Sequence, residues 1–232
     1  MTYDEILRHL KANANPAAVE GMARFGIRTD SALGLSMPFL RQTAKSAGVD
    51  HALALKLWQS GIHEARILAA LVDDPAQVTS AQMERWVKDF DSWDVCDQVC
   101  GNLFDRTRFG RRKAVTWAGR KSEFVRRAGF ALIAALAWQD RQADDELFVG
   151  YLALVEEYAF DDRNFVKKAV NWALRTIGKH SPELNAAALT VAEQLASSKQ
   201  ASPRWVGKDA HRELASAAVR ERLRARPGKV ER

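Results

Sequence analysis

Apolar residues recur along nearly the whole chain with the spacing of an amphipathic helix. Thr2 and Glu5 form a capping-box pattern before the first such run. Ser36 and Pro38 open a further run, which Gly48 ends. No segment shows a convincing alternation of apolar and polar residues, so the pattern predicts an all-α protein. The predicted helices span roughly 2–13, 16–25, 37–47, 51–60, 62–73, 80–90, 92–105, 109–119, 123–138, 143–159, 163–178, 182–198 and 203–217.

Two of these helices form a weak internal repeat. FVRRAGFALIAAL begins at Phe124 and FVKKAVNWALRTIG begins at Phe165, and they align without gaps at an offset of about 41 residues. The period is typical of HEAT repeats. Any two amphipathic helices share apolar positions, so the evidence for a repeat comes mainly from the common Phe-Val-cation-cation-Ala opening. Short linkers and this period predict a right-handed α-α superhelix, a solenoid whose concave face suits a long polymer.

The charge is concentrated at one end of the chain. The 232 residues carry a formal net charge of +6, which indicates an anionic partner. Residues 201–232 hold nine cations and four anions and so contribute +5 of that total. A DNA-binding surface elsewhere therefore depends on where the cations lie. We predict a single repeat domain over 1–217 and a basic tail over 218–232, which is interpreted as solvated or disordered.

Composition and the N-terminal pattern indicate the cellular compartment in which the protein is expected. No run of about 18 apolar residues exists, so no membrane span is expected. The amphipathic N-terminus lacks the apolar core of a signal peptide. Two cysteines without a secretion signal favour a reducing compartment, and the expected location is the cytoplasm, meaning the cytosol or nucleoid of a bacterium.

The chain shows no pattern for a metal or an organic cofactor. Cys96 and Cys100 are four residues apart on an apolar stripe, and no histidine lies near them in sequence. They are interpreted as small buried hydrophobic residues. His63 and Glu64 begin like a zinc-protease motif, but Ile67 stands where the second histidine would be needed. Phosphate-binding loops, dinucleotide fingerprints and nucleophile elbows are also missing from the sequence.

The helix over 92–105 places an aromatic residue and an acid on one face. Its apolar stripe consists of Val95, Cys96, Val99, Cys100 and Leu103. Asp97 lies about 200° around the helix from Val95, and Trp93 precedes Asp97 by one turn. The pair is therefore a candidate site outside the core. The alternative is that Trp93 packs against a neighbouring helix and Asp97 is a solvated acid.

The helix over 163–178 has a similar arrangement. Its apolar stripe consists of Val166, Ala169, Val170, Ala173 and Ile177. Trp172 lies opposite Val170, with Lys168 and Arg175 one turn to either side. An aromatic ring between two cations suits a surface that meets phosphates and a sugar or base. Alternatively, the aliphatic stems of the two cations only shield the ring.

Arg127 is the candidate cation of the helix over 123–138. It is expected to point away from Val125 and the core. Ala131 and Ala134, its expected outward neighbours, are small enough for a bulky partner to approach. Arg127 is therefore a candidate for clamping a phosphate with two hydrogen bonds. The alternative is a solvated arginine on a helix surface.

Four segments resemble the DNA alkylation repair family of AlkD-type alkylpurine DNA glycosylases. They are GLSMPFLRQTAK (34–45), SWDVCD (92–97), FVRRAGFAL (124–132) and FVKKAVNWALR (165–175). The resemblance covers roughly residues 20–215, and its specificity comes from the order and spacing of the segments. It implies a HEAT-like solenoid whose positive concave face wraps duplex DNA.

The resemblance also implies an activity and a site. The activity is monofunctional removal of cationic bases such as N3-methyladenine and N7-methylguanine in base-excision repair, without base flipping. By matching positions, Asp97 is the catalytic carboxylate, while Trp93, Trp172 and Arg127 contact the lesion. Arg41 matches a position expected to meet the DNA backbone, a role that we also expect of the two cations flanking Trp172.

One position departs from the family pattern. Phe25 stands where a characterised member has a tyrosine near the DNA, so a hydroxyl contact is lost and we expect a change in DNA affinity but not in the chemistry. We expect a monomer that binds double-stranded DNA and needs no cofactor. Two alternatives remain open at the level of sequence: a DNA-binding solenoid without catalysis, and a protein–protein adaptor, which is a common role of HEAT-like arrays.

Overall fold

The computed structural model describes residues 1–140 and 143–225, and this part of the chain contains fourteen α-helices and no strand. The helices are α1 (Tyr3–Ala12), α2 (Pro16–Arg24), α3 (Met37–Ala47), α4 (His51–Gln59), α5 (His63–Val72), α6 (Ser80–Trp86), α7 (Trp93–Asn102), α8 (Gly110–Ala118), α9 (Glu123–Gln139), α10 (Asp145–Tyr158), α11 (Asn164–Ile177), α12 (Pro182–Ala196), α13 (Ala201–Leu214) and α14 (Ala217–Arg224). The all-α prediction is confirmed. In the described ranges, no helix combines the length and the apolar character that crossing a bilayer requires.

The capping signals operate as the sequence predicts. The Thr2 side chain accepts from the backbone N–H of Glu5, whose carboxylate in turn accepts from the backbone N–H of Thr2. The Ser36 side chain caps α3, and Gly48 ends that helix with a positive φ of 77°. A residue without a side chain adopts this backbone conformation at little cost. These local contacts fix where the first helices begin and end.

The chain divides into two compact units, Met1–Gly110 and Arg111–Arg232. The single repeat domain over 1–217 stays a prediction. In the N-terminal unit, α5 packs against α3, α4 and α7. A buried aromatic cluster supports this unit, and its centre is the stack of Trp58 on Trp86, with ring centroids 4.0 Å apart. Helix α7, which carries Asp97, therefore packs against α5.

In the C-terminal unit, α11 packs against α9 and α13, and α12 packs against α13. The two helices of the sequence repeat are direct neighbours. Phe124 and Phe165, which open the repeat segments, stack with their ring centroids 5.5 Å apart. Equivalent residues of the two repeat segments are thus in contact in the structure.

Two predicted helices end earlier than expected. The helix predicted over 80–90 ends at Trp86 and continues as a 3₁₀ turn over Val87–Asp89. The helix predicted over 92–105 ends at Asn102 and is followed by a 3₁₀ turn over Phe104–Arg106. Buried apolar residues continue beyond both ends, so the apolar period alone places the ends too late.

The basic tail predicted over 218–232 is helical in its first part. Helix α14 begins after Ser216, whose hydroxyl accepts from the backbone N–H of Val219. Val219 and Leu223 are buried, and the helix packs against α12 and α13. These two buried residues, one turn apart, attach the charged segment to its neighbours. Up to residue 225 the segment is therefore a packed helix, not a solvated or disordered tail. Residues 226–232 of the predicted tail lie outside the described residues.

Candidate functional site

Helix α7 presents Trp93 and Asp97 outside the core. Val95, Cys96 and Val99 are fully or almost fully buried, whereas Trp93 and Asp97 are both partly exposed. The two residues are separated by one helical turn, which places them on the same face. The predicted division of this helix into a core stripe and an outer face is confirmed.

Trp93 is held in place by a contact from a distant segment. Its indole N–H donates a hydrogen bond of 3.1 Å to the backbone carbonyl of Phe25, which follows the last residue of α2. The Phe25 side chain itself is 72% exposed. The indole is thus anchored at one edge, and an exposed aromatic side chain stands beside its anchoring point.

The thiol of Cys100 on α7 is unreactive. Burial, the neighbouring Cys96 and the charges of Asp97 and Asp105 together hold the pKa of the Cys100 thiol well above its usual value. Such a thiol stays protonated and is a poor nucleophile. The prediction that Cys96 and Cys100 are buried is confirmed.

A largely buried ion pair joins α5 to the start of α7. His63 Nε2 is 2.8 Å from Asp94 Oδ2, and the other oxygen of Asp94 accepts from Ser92 Oγ at 2.5 Å and from the backbone N–H of Val95 at 2.9 Å. Burial alone would lower the pKa of His63, but the hydrogen bond and charge of Asp94 raise it above its usual value. Burial likewise opposes the charged form of Asp94, yet His63 lowers the Asp94 pKa. The pair therefore favours its ionised form.

The adjacent acid of α5 ties down a loop. Both oxygens of the Glu64 carboxylate accept hydrogen bonds from consecutive backbone amides. These amides belong to Leu33 (2.8 Å), Gly34 (2.7 Å) and Leu35 (3.2 Å). The loop leads into α3, on which Arg41 is exposed, as a contact to the DNA backbone requires.

From the sequence, His63 and Glu64 are interpreted only as an incomplete zinc motif. Both are buried, with 4% and 1% of their surface exposed, at the start of α5, which is apolar apart from these two residues and Arg66. Two polar residues at the start of a mainly apolar helix were the available signal. Their partners are about 30 residues away in sequence, so the pattern could not identify them. Within the described residues, no group of three His, Cys, Asp or Glu side chains could hold a metal ion.

Helix α11 keeps part of its predicted outer face. Lys168 is exposed and Trp172 is partly exposed. Arg175 is engaged by acids of α13, because its Nη1 atom lies 2.7 Å from Glu213 Oε2 and 3.9 Å from Asp209 Oδ2. The two cations of α11 expected to contact the DNA backbone therefore differ, since Lys168 is exposed and Arg175 is paired with Glu213.

Arg127 differs from its predicted orientation. It is only 5% exposed, and its Nη1 donates a hydrogen bond of 2.6 Å to the backbone carbonyl of Phe165. Ala131 and Ala134, which were expected to leave room for a partner, are fully buried. The expectation of an outward side chain is wrong, because α11 covers α9. Contact between Arg127 and a lesion stays a prediction.

Five of the seven predicted site residues form two local groups, and Arg41 and Arg127 belong to neither. Trp93 and Asp97 share one turn of α7 in the N-terminal unit. Lys168, Trp172 and Arg175 follow one another along α11 in the C-terminal unit. Each group contains a partly exposed indole next to a charged side chain.

Comparisons with known proteins give the fold and the family. No curated protein matches the chain. A solved protein described as belonging to "a new family of proteins related to the HEAT-like repeat DNA glycosylases with affinity for branched DNA structures" is 18% identical over 96% of each chain, with a TM-score of 0.81. A designed armadillo repeat protein in complex with the peptide (KR)4 is 15% identical over 82% of this chain and 85% of its own, with a TM-score of 0.35.

The first of these likenesses shows that the chain has the HEAT-like repeat fold that its sequence predicted. The sequence profile of the family described as DNA alkylation repair enzyme matches residues 6–214, which is most of the chain. The chain therefore belongs to the DNA alkylation repair enzyme family.

Proposed function

We propose that the protein is a monofunctional DNA glycosylase that removes cationic alkylated purines, such as N3-methyladenine and N7-methylguanine, from duplex DNA. One observation carries the proposal: α7 places Asp97 on a partly exposed face, one turn from Trp93. The neighbouring acid, Asp94, is bonded to His63 and so links α7 to α5. Asp97 lies on the face of α7 that we expect the substrate to approach.

The chemistry of the substrate requires only one carboxylate near the sugar. An alkylated purine already carries a positive charge, so it leaves without strong help from a general acid. Breaking the glycosidic bond moves positive charge onto the sugar, which becomes oxocarbenium-like. A fixed carboxylate beside that sugar stabilises the developing charge, and does so more strongly where water is partly excluded. We assign this role to Asp97, which would also orient or deprotonate the attacking water.

Trp93 supplies recognition in this proposal. The face of an indole attracts a cationic nucleotide by about 0.5–2 kcal/mol. Because its N–H is bonded to the Phe25 carbonyl, the ring is positioned before the substrate arrives. Preorganisation of this kind reduces the entropy lost on binding.

Lys168 and Arg41 are the proposed contacts to the phosphate backbone, since both are exposed cations on helices. Trp172, one turn after Lys168, offers a second partly exposed indole. Arg175 is the third proposed backbone contact, and its pairing with Glu213 competes with a phosphate. The proposed partner is double-stranded DNA, bound by a single copy of the chain. Binding of this kind weakens as the salt concentration rises.

DNA binding without catalysis is the second candidate function. A specific observation favours it: the solved protein with a TM-score of 0.81 is described by its affinity for branched DNA. A chain of the same fold with that role would keep its cationic surface and would release no base. Asp97 would then be an ordinary partly exposed acid.

The deciding experiment is incubation of the purified protein with methylated duplex DNA, followed by a count of the bases set free. We expect release of 3-methyladenine and 7-methylguanine, together with DNA affinity that falls as salt rises. Salt-dependent binding without release would favour the second candidate. No release together with an affinity that is flat against salt would contradict both and favour a protein–protein adaptor.

A further inference from the structure

One hydrogen-bonded pair joins the start of α5 to the start of α7. His63 Nε2 lies 2.8 Å from Asp94 Oδ2, and the two side chains are 3% and 16% exposed. Asp94 is the second residue of α7 and directly follows Trp93. Its other oxygen accepts from Ser92 Oγ and from the backbone N–H of Val95. His63 is therefore bonded to a carboxylate that is itself tied to the first turn of α7.

This bond has a direction that the other packing between the two helices lacks. The face of α7 that is buried consists of small and medium-sized apolar residues (Val95, Cys96, Val99 and Cys100), and α5 packs against this helix. Burial of apolar surface stabilises a helix without fixing its rotation, because the hydrophobic effect is non-directional. A hydrogen bond weakens steeply when its length or angle changes. We therefore expect the pair to set the rotation of α7 about its own axis.

His63 is itself held in place, as a residue that positions another must be. Its backbone N–H donates to the carbonyl of Ser31 at 3.1 Å. The next residue, Glu64, accepts from three consecutive backbone amides of the loop that leads into α3. Helix α5 also packs against α3 and α4. The imidazole thus extends from a fixed part of the N-terminal unit.

A rotation of α7 would displace the proposed reacting carboxylate. Asp97 lies one turn after Trp93 and moves with the backbone of the helix. The Trp93 indole has a further restraint in its hydrogen bond of 3.1 Å to the Phe25 carbonyl. A displacement of about 1 Å at a reacting group costs on the order of 100-fold in rate. The rotation of α7 therefore matters more to the chemistry than to the binding of DNA.

We propose that His63 is a positioning residue for base release, because its bond to Asp94 sets the rotation of α7 and so places Asp97 beside the sugar. The inference rests on the proposed function and deepens it by naming what holds the reacting carboxylate in place. His63 acts through Asp94 and the helix. Arg41 and Lys168, the proposed exposed contacts to the DNA backbone, are carried by α3 and α11. Loss of the bond should therefore slow release and leave DNA affinity unchanged.

Replacing both partners tests the bond without leaving a buried charge unpaired. The double variant His63→Leu/Asp94→Leu exchanges the pair for two apolar side chains, a change that is often neutral for stability. His63→Gln is the conservative variant, because its amide N–H is able to donate to Asp94. By single-turnover release of 3-methyladenine from methylated duplex DNA, we expect the double variant to be about tenfold slower and His63→Gln to stay close to the wild type. Fluorescence anisotropy should give the same DNA affinity for all three.

A second histidine–carboxylate pair of the same unit provides the matched control. His51 Nδ1 lies 2.6 Å from Asp73 Oδ1 and joins the start of α4 to the residue after α5. Asp73 also accepts from Gln82, so His51→Leu leaves that carboxylate with a hydrogen bond. We expect His51→Leu to release base at the wild-type rate, at a temperature where circular dichroism melts establish that every variant is folded. Equal slowing by His51→Leu and the double variant, or wild-type release by the double variant, would overturn the proposal.

Hydrogen exchange distinguishes failure of this inference from failure of the proposed function. By mass spectrometry of peptides that cover Trp93–Asn102, we expect faster amide exchange in the double variant than in the wild type or His51→Leu. If the wild type releases base and the double variant releases it equally fast, the positioning role is wrong and the glycosylase stands. If the wild type releases no base, faster exchange would support the hold of His63 on α7 and contradict the glycosylase, whereas unchanged exchange would contradict both.

Discussion

Helices α9 and α11 begin with similar sequences, but their aligned cations differ in solvent exposure. Arg127 of α9 aligns with Lys168 of α11. Arg127 is buried and bonded to the Phe165 carbonyl, whereas Lys168 is exposed. The residues of α9 from Arg127 to Ala137 are all buried, while α11 keeps Trp172 partly exposed. A sequence repeat therefore identifies equivalent positions without fixing their exposure.

The difference arises from what packs outside each helix. The face of α9 that holds Arg127 is covered by α11, and the Arg127 guanidinium ties the opening of one repeat segment to that of the next. Helix α11 packs against α9 and α13 and still leaves Lys168 exposed. Arg127 is thus primarily a structural link, and Lys168 is the cation available to a partner.

The largest expected effect in this comparison is on stability. Arg127→Ala removes the hydrogen bond to the Phe165 carbonyl and opens a void in the packed region between α9 and α11, so we expect the free energy of unfolding to fall by about 2–4 kcal/mol. Lys168→Ala should change it by no more than about 0.5 kcal/mol. Urea unfolding of both variants measures the difference. Equally small effects would contradict the structural role of Arg127.

A smaller effect concerns acid stability beside α9. Burial would raise the pKa of Asp161, but hydrogen bonds from Arg163 and Arg126 lower it to about 2. Because the folded pKa lies below the unfolded value, the stabilisation is complete above the unfolded pKa and is lost as the pH falls through about 2. Asp161→Asn should cost about 1–2 kcal/mol at neutral pH and reduce the loss of stability between pH 4 and pH 2.

The aligned cation of α11 provides the control for that experiment. Lys167, which corresponds to Arg126, lies over the Trp205 ring at 5.3 Å. Urea unfolding of Lys167→Ala across the same pH range should follow the acid dependence of the wild type. If Asp161→Asn also follows the wild-type curve, the ion pairs of Asp161 contribute nothing measurable.

The smallest effect is on the salt dependence of DNA binding. If Lys168 contacts one phosphate, Lys168→Ala should lower the slope of log K against log salt by about 1. Arg127→Met, which keeps most of the side-chain volume, should leave the slope unchanged if it folds. Fluorescence anisotropy with duplex DNA at several salt concentrations checks both. A reduced slope for Arg127→Met alone would reverse the comparison.

Much of the helical framework could be predicted from the sequence. Caps such as Thr2 and Ser36 are local signals, and the apolar stripe of α7 places Trp93 and Asp97 on its outer face. Periodicity describes a helix relative to its own axis. It therefore shows which face is apolar, without showing what covers the opposite face.

The features that sequence reasoning missed depend on contacts between distant segments. Arg127 pointed away from its own stripe, yet α11 lies on that side. The His63–Asp94 pair joins residues separated by 31 positions, and no helical period connects them. Helix α14 was missed because two apolar residues in a charged segment are a weak pattern until α12 and α13 cover them.

The most direct test of the central claim is single-turnover release of 7-methylguanine from methylated duplex DNA by the wild type, Asp97→Asn and Asp4→Asn. Asp4 is an exposed acid of α1, so its variant controls for the loss of one charge. We expect Asp97→Asn to bind DNA like the wild type and to release base on the order of 100-fold more slowly, while Asp4→Asn keeps the wild-type rate. Release by Asp97→Asn at the wild-type rate would contradict the account.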